Sequence, residues 1–212
     1  MTIDTGIAAA PSSRPASSGL QPAFTDPVRG AQSTFRAALA ALAHPGRIRT
    51  LGAEQACGVP DGLSPAMTAL LLALADADAP LWLPAAADDG IRRFLRFHNA
   101  CAFADAPAHA TFAAVPAGHA TPKLADCAQG DPAYPDRSTT LLIEVDALGE
   151  GDAVTLRGPG IENEQALAVN GLPDGFWTQW RVNHERFPLG VDVLLVCGHA
   201  LCGLPRTTVV EN

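Results

Sequence analysis

Asp192, Arg206, Thr207 and Thr208 are the densest group of chemistry-bearing residues that one stretch of this 212-residue chain can bring to one place. Between Val191 and Cys197 nearly every residue is apolar on both alternating faces, the pattern of a strand covered on both sides of a sheet. Asp192 interrupts that run at its start, and Arg206-Thr207-Thr208 follows the proline that ends the next loop. A guanidinium fork with two hydroxyls suits phosphate oxygens, or a contact to another subunit. The same residues suit a structural role, because a carboxylate among apolar neighbours must be paired or protonated, with Arg206 or Arg181 as partner.

Other residues carry weaker signals. Arg137 and Ser138 precede a strong strand, a placement where loops carry function, but a surface arginine in a salt bridge is the simpler reading. Gly158-Pro159-Gly160 follows another predicted strand, where Gly158 and Gly160 could let backbone N–H groups approach an anion or simply turn the chain tightly. No GxGxxG and no phosphate-loop lysine accompanies them. Cys197, His199 and Cys202, with His98 and Cys101, have ligand chemistry but no zinc spacing, so no metal is expected. His98 shares a face with Ile91, Phe94 and Leu95 and reads as a hydrogen-bonded core histidine. Phe176, Trp177 and Trp180 read as core or interface before they read as a purine platform. Arg92, Arg93 and Arg96 form a solvated face or a contact to a partner. No set of acid, base and nucleophile emerges, and the catalytic residues stay unknown.

Composition narrows the classes. With 48% hydrophobic residues the chain can bury a full core, and one α/β domain over 23–212 is expected behind an irregular, disordered arm over 1–22, rich in Ala, Pro, Ser and Gly. A net charge of −8 argues against a nucleic-acid binder. Of the fourteen Lys and Arg residues only Lys123 is a lysine, so it is the single candidate for Schiff-base chemistry. Five cysteines at irregular spacings do not make a disulfide framework and fit a reducing cytoplasm. No leader and no membrane span is expected.

The elements that must position these residues follow from periodicity. Phe35, Leu39 and Leu42 recur at helical spacing until His44-Pro45-Gly46, followed by a short strand at 47–51. Ser64-Pro65 opens a helix through Met67, Leu70, Leu71 and Leu74. Strands are expected at 81–83 and 111–115, a helix from Asp88 or Asp89 through Leu95, and a short helix from Thr121-Pro122 to Gly130. Thr139–Asp146 and Ala153–Arg157 read as a hairpin across Leu148-Gly149-Glu150-Gly151, with 165–169 continuing the antiparallel part. A helix over 173–186 precedes the central strand. The interleaving favours a layered α/β domain with a mixed sheet flanked by helices.

Ser138-Thr139-Thr140, Gly158-Pro159-Gly160-Ile161, Phe35-Arg36-Ala37 with Pro45-Gly46, and the stretch from Phe187-Pro188-Leu189-Gly190 to Thr208 together resemble the H subunit of the bacterial carbon-phosphorus lyase complex, over about residues 24–212. The resemblance implies a fold similar to the large domain of pyridoxal-phosphate-dependent transferases without use of that cofactor, so none is expected. It implies partnership with the G, I and J subunits and a possible homodimer. It also implies support for the reaction in which alkylphosphonate replaces the adenine of ATP to give ribose 1-alkylphosphonate 5-triphosphate. A stand-alone pyridoxal-phosphate transferase or lyase using Lys123 is the alternative from the enzyme class. A phosphate- or phosphonate-binding regulator is the alternative from the binding class.

Overall fold

The computed structural model describes residues 20–211. Among these residues, four α-helices and nine strands follow in the order α1 (Pro27–Ala43), β1 (Arg49–Thr50), α2 (Pro65–Leu74), β2 (Leu81–Trp82), α3 (Asp89–Asn99), β3 (Phe112–Val115), β4 (Thr140–Glu144), β5 (Ala147–Arg157), β6 (Gln165–Asn170), α4 (Phe176–Glu185), β7 (Asp192–Cys197), β8 (Ala200–Leu204) and β9 (Val209–Glu211). Six strands form a mixed sheet in the order β1-β8-β7-β4-β3-β2, in which β2, β3, β4 and β7 run parallel, β8 returns antiparallel to β7, and β1 pairs antiparallel with β8. This is the expected α/β class with a mixed sheet and flanking helices.

The central strands explain the layering. Along β7, Leu194 and Val196 pack with Leu142 and Ala114 into one core, while Val193 and Leu195 pack with Leu141, Ile143 and Val115 into the other. A strand apolar at every position is stable only with both faces covered, and here both are. Helices α1, α2 and α3 cover the first face, where Leu70, Leu71, Ile91, Phe94 and Leu95 are fully buried. The second face is covered by α4 and by a three-stranded antiparallel sheet, β6-β5-β9, through Trp180, Phe176, Leu156 and Leu167.

Local chemistry starts the helices as the sequence indicates. The Ser64 hydroxyl accepts from the Met67 N–H at 3.2 Å with Pro65 at the first helical position of α2. Asp26 caps α1 in the same way through the Arg29 N–H, followed by Pro27. Close approach fixes where α1 lies on the sheet. A Cβ on Gly203 of β8 would stand 2.4 Å from the Ala41 backbone, so α1 reaches β8 only because that strand position has no side chain.

Three expectations from the sequence need correction. Thr139–Asp146 and Ala153–Arg157 do not form a hairpin. The apolar Leu141–Ile143 run is buried on both faces between β3 and β7, whereas β5, with alternate residues exposed at its end, belongs to the second sheet and pairs with β6 and β9. The helix expected from Thr121-Pro122 to Gly130 is a single 3-10 turn at Leu124–Asp126. Phe35 and Leu39 do not point into the core: α1 buries Gly30, Thr34, Ala38 and Ala41 and leaves Val28, Phe35 and Leu39 exposed, while Leu42, the third residue of the stripe, packs half-buried against the core. Small residues let the helix sit close to β8, and that choice rotates the larger ones away. Of the arm expected over 1–22, residues 1–19 lie outside the described residues; at its junction with the domain the Pro22 carbonyl accepts from Gly58 N–H at 2.9 Å and the Gln21 carbonyl lies 2.8 Å from His98 Nε2.

Candidate functional site

The structure brings together Asp192 and Arg206, two members of the cluster expected from the sequence, and joins to them Ser138, which the sequence singled out separately. Asp192 opens β7, Ser138 lies just before β4, and Arg206 follows β8, whose antiparallel return along β7 brings it back to the start of that strand. Asp192 Oδ1 accepts from the Arg206 backbone N–H at 2.8 Å and from Nε at 3.1 Å, and Oδ2 from Nη2 at 2.6 Å. The second Nη2 hydrogen goes to Ser138 Oγ. Nη1 donates to the Pro135 carbonyl at 3.0 Å and, more loosely, to the Pro188 carbonyl at 3.4 Å.

All five N–H groups of the guanidinium are thereby directed at protein acceptors. The side chains are only 12% and 21% exposed for Arg206 and Asp192. What this arrangement does chemically is hold together three chain segments at the amino ends of β4 and β7.

The other expected residues divide. Thr208 is fully buried, its carbonyl accepting from Trp180 Nε1 at 2.9 Å, while its Oγ1 has no partner. Thr207 is half-buried in the adjoining turn, and its carbonyl stands 2.9 Å from where a Cβ on Gly158 would lie. A Cβ on Gly160 would meet the Ala43 carbonyl at 2.2 Å and Pro45 Cδ at 3.0 Å. The Gly158-Pro159-Gly160 turn thus packs between the end of α1 and the 207–208 turn. Arg137 is exposed, its guanidinium 4.0 Å from the centroid of the Tyr134 ring, and does not join Arg206. Among the described residues no group of three or more His, Cys, Asp or Glu is placed to hold a metal ion. The burial of Cys127 and Cys202 pushes each thiol up to about 12.

The opposite end of the sheet holds a feature the sequence reading passed over. At the carboxyl ends of β4 and β7 lies a crevice of about 310 Å³ lined by Gly62, Ser64, Ala117, Glu144, Cys197 and Gly198. The carboxyl edge of parallel strands is where open α/β sheets place their ligand crevices. Glu144 spans it: Oε1 accepts from Ser64 N–H at 2.6 Å and Oε2 from Ala117 N–H at 2.9 Å. The carboxylate therefore takes the position at the α2 amino end that an external anion would otherwise occupy, and the Gly198 carbonyl takes the Ala66 N–H. The one signal for Glu144 in the sequence is a carboxylate closing the apolar Leu141-Leu142-Ile143 run.

Comparison with known proteins is consistent across the chain. Residues 22–211 match the family described as bacterial phosphonate metabolism protein (PhnH). A relative from Rhizobium meliloti (strain 1021), named alpha-D-ribose 1-methylphosphonate 5-triphosphate synthase subunit PhnH, is 41% identical over 191 residues, 90% of this chain and 94% of its own length. A second, the putative C-P lyase subunit protein HtxG of Stutzerimonas stutzeri, is 35% identical over 185 residues, 85% of each chain. The match therefore takes in both helical and sheet layers, the Asp192–Arg206 clamp and the Glu144 crevice, and the chain belongs to the PhnH family of bacterial phosphonate metabolism proteins.

Proposed function

We propose that this protein is a subunit of the carbon-phosphorus lyase machinery, required for converting ATP and an alkylphosphonate into ribose 1-alkylphosphonate 5-triphosphate with release of adenine. The observation that carries the reading is the 41% identity to a ribose methylphosphonate triphosphate synthase subunit over 94% of that subunit's length. The partners in this reading are the G, I and J subunits, in the cytoplasm, where the five free cysteines stay reduced. Association of the chain with its own copy is a separate question, decided by sedimentation of the isolated protein.

The site chemistry fits a supporting part better than an independent one. The guanidinium most suited to a phosphonate, Arg206, is committed to Asp192, Ser138 and two carbonyls, so the cluster acts as a clamp for the fold. Lys123 lines a cleft of about 180 Å³ with Leu124, Thr178, Val182 and Arg186, but it stands exposed at the cap of a 3-10 turn, whereas a Schiff-base lysine is one held in a desolvated site. That placement favours a reading without pyridoxal phosphate, whether or not the fold is related to the large domain of transferases that use it.

The test is genetic and chemical together. Cells lacking the gene should fail to grow on methylphosphonate as sole phosphorus source. Purified G, I and J subunits should form ribose 1-methylphosphonate 5-triphosphate, followed by phosphorus NMR, only when this chain is added. Full activity without it would refute the proposal.

A further inference from the structure

The α1 helix is built inside out. A helix packed on a sheet normally turns its large apolar residues inward, yet α1 buries Gly30, Thr34, Ala38 and Ala41 and leaves Val28, Phe35 and Leu39 exposed by 65%, 52% and 56%. Positions 28, 35 and 39 are seven and four residues apart, which places them on one line along the helix, about 16 Å long. Gln32 and Arg36 lie on the same face, joined by a hydrogen bond of 3.2 Å. Phe35-Arg36, prominent in the sequence, thus serves neither the core nor the Asp192 clamp.

The charge around the stripe is one-sided. Within a chain of net charge −8, Pro27–Ala43 carries Arg29 and Arg36 and no Asp or Glu. Asp26 at the cap lies 3.7 Å from the Arg29 guanidinium across exposed surface, and Glu54 belongs to the 53–55 turn that neighbours α1. Aromatic and arginine side chains together are the types enriched where interfaces carry their energy.

We propose that the outer face of α1 docks a carboxylate-bearing apolar segment of another subunit of the same assembly, with Val28, Phe35 and Leu39 as anchors and Arg29 and Arg36 as the charge contacts. Charge complementarity selects that occupant. A second copy of this chain packed on the same face would set arginines against arginines, whereas a carboxylate-bearing partner pairs them. The proposal rests on the subunit reading of the preceding section.

The experiment is co-expression of the tagged full chain with the G, I and J subunits, with affinity measured by biolayer interferometry against the purified remainder of the assembly. The Phe35→Asp/Leu39→Asp and Arg29→Glu/Arg36→Glu variants should keep the wild-type melting temperature, because every altered side chain is exposed. Each should bind at least tenfold more weakly, while Phe97→Asp, an exposed aromatic on α3, binds normally. Raising sodium chloride should weaken wild-type binding and affect the charge-reversed variant less.

Wild-type affinity in both α1 variants would overturn the proposal. So would a wild-type homodimer that Phe35→Asp/Leu39→Asp dissociates, since the occupant would then be a second copy. Failure of the wild-type chain to join the other subunits at all would instead defeat the subunit reading itself.

Discussion

Asp192 and Arg206, fourteen residues apart, meet through two guanidinium hydrogen bonds and one from the Arg206 backbone N–H, and so fasten the end of β8 to the beginning of β7. The pair is mostly enclosed, and Ser138 and the Pro135 carbonyl tie the segment before β4 to the same guanidinium.

Removing the arginine leaves the carboxylate without its counter-charge in a poorly solvated place. Arg206→Ala should cost about 3 kcal/mol of stability, because a broken enclosed ion pair loses more than the intact pair contributes. Arg206→Lys should recover only part, since an ammonium cannot span Asp192, Ser138 and Pro135 with fixed geometry. Urea denaturation at neutral pH measures both, and a loss below about 1 kcal/mol for the alanine variant would show the pair to be dispensable.

Trp180 is fully buried and its indole N–H donates to the Thr208 carbonyl. Trp180→Phe should lower the urea midpoint by the equivalent of about 2 kcal/mol, combining a buried carbonyl left unpaired with the space vacated by the smaller ring. The denaturant slope should be unchanged, as expected when only native-state contacts are altered.

Glu144 links the amino end of α2 to the loop after β3, each carboxylate oxygen holding one backbone N–H. Glu144→Gln presents an amide NH2 to one of those donors, so it should destabilise by about 1–2 kcal/mol despite its matching shape. Hydrogen exchange should show faster exchange at Ser64 and Ala117 than in the wild type. Unchanged protection at both would remove Glu144 from its proposed bridging role.

Burial raises the thiols of Cys101, Cys127 and Cys202 to about 11, 12 and 12 from an ordinary 9.0. The folded state then holds protons that the unfolded chain releases above pH 9, so unfolding becomes more favourable as pH rises. The stabilisation is fully present below about pH 9 and is lost between there and about pH 12. A Cys127→Ala/Cys202→Ala variant should be less stable near neutral pH and show a shallower decline in alkali; parallel pH–stability curves would contradict this.

The sequence by itself determined the local rules. The run from Val193 to Val196 could only be a strand covered on both faces, Ser64-Pro65 could only open a helix, and an aspartate at the edge of that apolar strand required a cation. These follow from burial, capping and desolvation, which act over a few residues and leave their mark in residue type. Only the tertiary structure decided which segments meet. Leu141–Ile143 pairs with β3 and β7 and not with β5, because strand pairing depends on what covers each face. Arg206, not a distant arginine, answers Asp192 because β8 returns antiparallel along β7. The outward turn of Phe35 and Leu39 was illegible for the same reason: their helical period is that of a core stripe. It is the close seat of α1 on β8, where Gly203 meets Ala41, together with the Phe24 ring against Gly30, that turns the small-residue face inward and leaves Phe35 and Leu39 at the surface.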